Sequence, residues 1–136
     1  MTANVSTRTD GASAWAPQLL SVLRITSALI FTLHGSQKLL AFPATDQQPP
    51  LLSLFGIGGL LELVGGLLLL IGLFTRPVAF VMSGMMAVAY WMFHAPQNLF
   101  PTLNGGDAAI LYCFVFLYIV AAGPGPWSLD AARGKA

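Results

Sequence analysis

Charge is what this sequence has least of. Asp, Glu, Lys and Arg make up 8% of its 136 residues, against about 25% in an ordinary soluble domain. Six basic and five acidic side chains cannot cover a globule of this size. Such a globule would expose large apolar patches and aggregate, which excludes an ordinary water-soluble domain. The net charge of +1 offers nucleic acid no electrostatic footprint. Cysteine is nearly absent as well. Cys113 stands alone, so neither an internal disulfide nor a CxxC redox pair can form. No HExxH, GxGxxG or P-loop pattern occurs. Zinc-protease and nucleotide chemistry therefore have no motif here, and no metal site is expected. Residues 1–16 lack the apolar run of a secretory signal. They read as a disordered N-terminal tail, with Trp15 as an interfacial anchor.

What the chain has in abundance is apolar surface: 56% of residues, with a mean hydropathy of +0.74. Four apolar segments stand out, at 17–40, 51–74, 77–95 and 107–122. Each approaches the roughly 20 residues that cross a bilayer as a helix. Pro17 suits a first helical turn. The stretch 41–50 holds three prolines and cannot continue a helix. Thr75, Arg76 and Pro77 leave room only for a tight turn, so the second and third segments should be antiparallel neighbours. A break rich in Pro, Asn and Gly separates the third from the fourth, and GPGPWSLD ends the fourth. The expectation is an all-α, antiparallel four-helix transmembrane bundle over 17–130, with a short C-terminal tail at 131–136. Arg8, Arg76, Arg133 and Lys135 then share one side and Lys38 the other, which places both termini in the cytoplasm.

Polar residues inside membrane helices are costly and therefore informative. His34, Gln37 and Lys38 share one face of the first segment. Glu62 sits in the second, in a stripe with Gly58 and Gly66, beside Gly59 and Gly65. Small residues let membrane helices approach closely, so Glu62 should face the bundle. His94 lies near the end of the third segment, and Asn104 and Asp107 open the fourth. Counting residues puts Glu62 roughly 16 Å below the outer end of its helix, with Arg24 on the inner side. A structural Glu62–Arg24 ion pair is one reading of these two charges. Snorkelling of Lys38 to the headgroups is another bland reading. Asp107 also suits a helix start, where a carboxylate meets free N–H groups.

The functional reading takes these groups together. Proton-active side chains beside Tyr90, Trp91 and other apolar residues could hold an apolar ring bearing oxygens, such as a quinone. Two histidines on facing helices also suit haem iron, but both lie near helix ends, close to the surface, and haem is disfavoured on that ground.

The motifs resemble the DoxX family. The segment Leu33-His34-Gly35-Ser36-Gln37-Lys38-Leu39 is similar to its HGxQKL signature. The likeness continues in Glu62-Leu-Val-Gly65-Gly66, Gly72-Leu-Phe-Thr75-Arg76, His94-Ala95-Pro96, Asn104-Gly105-Gly106-Asp107 and the run from Gly123 to Asp130. It covers about residues 18–130. Asp107 stands where the family more often has Glu, and Pro126 where a basic residue is common. The resemblance implies a small, multi-pass protein of the bacterial plasma (inner) membrane, in a family linked to quinone-dependent oxidoreductases and to thiol homeostasis beside soluble enzymes.

The leading expectation is a quinone-linked redox subunit. Glu62 and His34 would relay protons, while His94, Lys38, Gln37, Asn104 and Asp107 would bind the ligand. A non-enzymatic anchor or assembly factor for a soluble redox protein is the alternative, and a small-solute or proton pathway a third. Expected partners are the lipid bilayer, a soluble redox protein or another membrane subunit, and a second copy of the chain.

Overall fold

A computed structural model describes residues 11–136, and every regular element in them is helical. The expected disordered tail falls largely on residues 1–10, outside the described residues. A 3-10 turn at Ser13–Trp15 leads directly into the first helix. The elements are α1 (Ala16–Leu40), α2 (Leu54–Ile71), α3 (Thr75–Ala89), α4 (Pro101–Asn104), α5 (Asp107–Ala122) and α6 (Leu129–Ala132). A π-helical turn, Tyr90–His94, prolongs α3.

Three helical stretches are long and apolar enough to cross a membrane: Ser13–Leu40, Leu54–Ile71 and Thr75–His94. Helix α5 is a shorter apolar helix of 16 residues, spanning roughly 24 Å at the usual rise. Large side chains point outward along all four, among them Phe80, Trp91, Leu111 and Phe114. Water would not tolerate that surface; lipid tails do.

Helix α1 packs along α2, and α3 along α5; α2–α3 and α1–α5 contacts join the two pairs. Close approach in the first pair follows from glycine. A Cβ on Gly35 would collide with the α2 backbone at Gly59 and Leu63. One on Gly66 would collide with Thr32 of α1. The glycine stripe read from the sequence is thus divided among neighbours. Gly59 and Gly66 face α1, Gly65 faces Met82 of α3, and Gly58 meets nothing within 4 Å. The buried core lies between the pairs, around Phe31, Leu69, Met82, Met86, Phe116 and Ile119.

The helix ends explain several motifs. Ser53 caps α2 by accepting from the Gly56 amide at 3.1 Å. Gly72 ends it in the left-handed conformation (φ 69°), while the Leu73 amide reaches back to Leu68 O at 2.9 Å. The start of α3 has no cap from its own N-cap residue. Asp130, far along the chain, supplies one: its carboxylate accepts from the amides of Phe74 at 3.1 Å and Thr75 at 2.8 Å. Arg76 donates to the last carbonyls of α5, Val120 O at 2.6 Å and Ala121 O at 2.7 Å. A cation there also meets the negative end of the helix dipole.

Arg24 is fully buried, yet it donates to no carboxylate. Its guanidinium fork takes Leu69 O and Leu70 O from the end of α2, and Pro124 O and Trp127 O from the turn after α5. These carbonyls lie at a helix end and in a turn, where backbone donors run short; Leu69 O also accepts from Gly72 N at 3.2 Å. The arginines and Asp130 therefore lock one end of the molecule. The opposite end carries the candidate site.

Candidate functional site

At that opposite end the four long helices part around a cavity of about 490 Å³. Its wall is mostly apolar: Phe31 of α1, Phe55 and Leu61 of α2, Met85 and Phe93 from α3 and its π turn, and Tyr112 of α5. Besides the Tyr112 hydroxyl-bearing ring, four ionisable side chains line it: His34, Lys38, Glu62 and His94. Volume and lining both match what a small organic ligand requires.

Lys38 and Glu62 form an ion pair, with Nζ to Oε1 at 2.7 Å. The geometry has a local cause. Side chains on a helix lean toward its N-terminus, so Lys38, near the end of α1, runs down toward the middle of the bundle. Gly59 of α2 leaves room for the stem, since a Cβ there would stand 2.9 Å from Lys38 Cβ. Glu62 lies three residues further along α2. This corrects the reading that pairs Glu62 with Arg24, whose donors go to backbone carbonyls. It also corrects the reading in which Lys38 simply snorkels: its head is only partly exposed and is held by the carboxylate. Glu62 is 5% exposed, and its second oxygen, Oε2, is buried with no hydrogen-bond partner.

His94 is oriented by the loop that follows it. Its Nδ1 lies 3.0 Å from Asn104 O. A carbonyl can only accept, so Nδ1 carries the proton and Nε2 of the neutral ring keeps its lone pair. Asn104 is itself pinned: its amide nitrogen donates to Asn98 O at 2.9 Å, and its Oδ1 accepts from Gly106 N at 2.8 Å. The π turn, closed by Ala95 N to Tyr90 O at 2.9 Å, adds a residue to the helix beside the cavity. Such turns are frequent at functional sites. His34 is exposed at the rim, edge-on to Tyr112 at 6.2 Å between ring centroids. The Phe31, Tyr112 and Phe116 rings pack together below it, with centroids 5.0 to 5.6 Å apart.

Of the residues singled out in the sequence, Glu62, His34, His94 and Lys38 therefore meet in one cavity. Three do not line it. Gln37 is half-buried to one side. Asn104 stands behind His94 and acts through its carbonyl. Asp107 is exposed and holds the start of α5, its Oδ1 accepting from Ala108 N at 3.0 Å. Its role as a helix start is the one realised. Tyr112, Phe55 and Phe93 are cavity walls that apolar patterning could not distinguish from core or lipid-facing aromatics. Among the described residues, no group of three or more His, Cys, Asp or Glu could hold a metal ion.

The DoxX family model matches residues 19–95. An uncharacterised protein of Haemophilus influenzae is 41% identical over 126 residues, covering 85% of this chain and 91% of that protein. The inner membrane protein YqjF of Escherichia coli is 28% identical over 132 residues, covering 84% of this chain and 91% of its own. No solved structure matches.

Proposed function

The chain belongs to the DoxX family, and we propose that it is a membrane subunit holding a quinone, or a similar apolar redox ring, in the cavity between its helices. It is a multi-pass inner-membrane protein. In the proposal α1, α2, α3 and α5 cross the bilayer as an antiparallel four-helix bundle with both termini cytoplasmic. The distribution of Arg24, Arg76, Arg133 and Lys135 toward one end, with Lys38 toward the other, supports that orientation.

One observation carries the functional reading. An apolar cavity of about 490 Å³ is lined by the Lys38–Glu62 ion pair, in which Lys38 is half-buried and Glu62 is buried with its Oε2 unpartnered. An unpartnered buried carboxylate oxygen is costly and calls for a ligand or water. An apolar ring with oxygen substituents fits both halves of that description. The aromatic walls offer stacking area, Lys38 and His94 flank the ring oxygens, and Glu62 and His34 can hold protons. The bound ring would supply two-electron chemistry coupled to protons.

The test is a titration of the detergent-purified full chain with a short-chain benzoquinone. Saturable binding should occur in the wild type and be lost in Glu62→Gln and Lys38→Met, with helicity retained. Undiminished binding in both variants would remove the site.

A further inference from the structure

We infer that the ring held in this cavity carries a long aliphatic tail, which leaves the protein sideways between α2 and α3 and lies among the lipid chains; the inference rests on the reading just given. The two helices close on each other at two levels. Toward the inner end, a Cβ on Gly65 would collide with Met82. At the outer end the Phe55 and Phe93 rings meet, with centroids 4.6 Å apart. Positions 55 to 65 span about 15 Å of helix, and within that interval the helices part. Gly58 stands there. It lines the cavity, and a Cβ added to it would meet nothing within 4 Å.

The residues around this gap serve two surfaces at once. Ile57, Leu61, Val88 and Met92 all line the cavity, yet each is 42 to 55% exposed. On the opposite wall, Phe31 of α1 and Ala109 of α5 are buried. Polarity divides the same way. His34 and Lys38 come from α1, Glu62 is turned to Lys38, and His94 is held by the loop after α3. The gap itself is lined by alkyl and thioether side chains. In the proposed orientation it opens at membrane depth, where an alkyl chain passes freely and a polar substituent is costly. Lipid is as apolar as the gap, so the tail gains little affinity there. It sets the route of entry and turns the ring oxygens toward Lys38 and His94. The ligand class is therefore a lipid-soluble ring with an aliphatic tail, and Gly58 keeps its path open.

The experiment uses the full chain in lipid nanodiscs and three probes: a decyl benzoquinone with a diazirine in its tail, the matching tailless benzoquinone, and a ringless decyl diazirine. Labelled positions are read by peptide mass spectrometry. The tailed quinone should label Ile57, Leu61, Val88 or Met92, and excess tailless quinone should abolish that labelling. Gly58→Leu should weaken the tailed quinone about tenfold more than the tailless one, the effect of a small misfit in a pocket. The wild-type labelling decides the matter even where that variant fails to fold. Displaceable labelling confined to α1 or α5 would overturn the route and leave the proposed site standing. So would tailless binding with no displaceable labelling by the tailed probe. Equal, displaceable labelling by the ringless probe would assign the gap to a lipid chain and overturn the tail. Equal weakening of both quinones by Gly58→Leu would overturn the part given to Gly58. Binding of neither quinone would overturn both the tail and the site.

Discussion

Replacing Gly35 by alanine should weaken the fold and the cavity together. A Cβ at this position would stand 2.7 Å from Gly59 O and 2.8 Å from Leu63 Cα, with the Leu63 amide nitrogen closer still. All three are backbone atoms of a helix, so none can swing aside. Ordinary contact begins near 3.4 Å, so α1 and α2 must part locally by roughly 1 Å to restore it. Overpacking of this kind costs about 1–3 kcal/mol. Lys38 lies less than one turn beyond Gly35, so the same parting stretches its 2.7 Å bond to Glu62. The assay is reversible unfolding in mixed detergent micelles, followed by tryptophan fluorescence, with benzoquinone affinity measured in parallel. Gly84→Ala is the control. It has open space around its Cβ and should be neutral or up to ~1 kcal/mol more stable, because alanine is the better helix former. If Gly35→Ala unfolds within about 0.5 kcal/mol of the wild type, the α1–α2 packing argument is refuted.

Arg24→Met should cost more than Gly35→Ala, on the order of 3 kcal/mol or above, because it strips donors from several buried carbonyls. Arg24→Lys should rescue it poorly, since an ammonium cannot reproduce the guanidinium fork; full rescue would refute the clamp. Lys38→Met should destabilise by about 1–3 kcal/mol, below the fully buried case because Lys38 is partly exposed. The double variant Lys38→Met with Glu62→Met should regain most of that stability and still fail to bind the ring; regained binding would separate the pair from the ligand. Burial disfavours the charged form of Asp130, but hydrogen bonds from Thr75 and Phe74, with Arg133 nearby, hold its carboxyl below the ordinary value. A carboxyl lowered by folding stabilises above its unfolded value near pH 4, and that contribution is lost as pH falls through the folded value. Asp130→Asn should cost about 1 kcal/mol at neutral pH and flatten the acid limb of the stability curve. An unchanged limb would contradict the cap.

Hydropathy located the helices well because lipid-facing and core residues are both apolar. The expected 107–122 agrees with α5, and 17–40 with α1 to one residue. The ends of α2 were less legible. Ser53 and Gly72 set them through hydrogen bonds and a left-handed turn, inside a run that hydropathy reads as continuous. Costly residues in apolar helices singled out Glu62, Lys38, His34 and His94, which the structure brings to one cavity. What failed was pairing. Arg24 looked like a counterion because charge was counted and backbone carbonyls were not. The free carbonyls at a helix end and in GPGPW satisfied it instead. Asp130 escaped notice because its partners, the amides of Phe74 and Thr75, lie 56 and 55 positions away. Asp107 and Asn104 share the level of the cavity but not its wall, a distinction that lies in loop geometry rather than in spacing.

The most direct test of the central claim is a reduced-minus-oxidised absorption spectrum, from ultraviolet to visible, of the full chain purified in mild detergent from its own membrane. The expected result is a quinone-type ultraviolet change near one ring per chain, reduced by Glu62→Gln. A haem band, or a featureless spectrum joined to no uptake of added hydroquinone or quinone, would contradict it and leave the cavity without its proposed ligand.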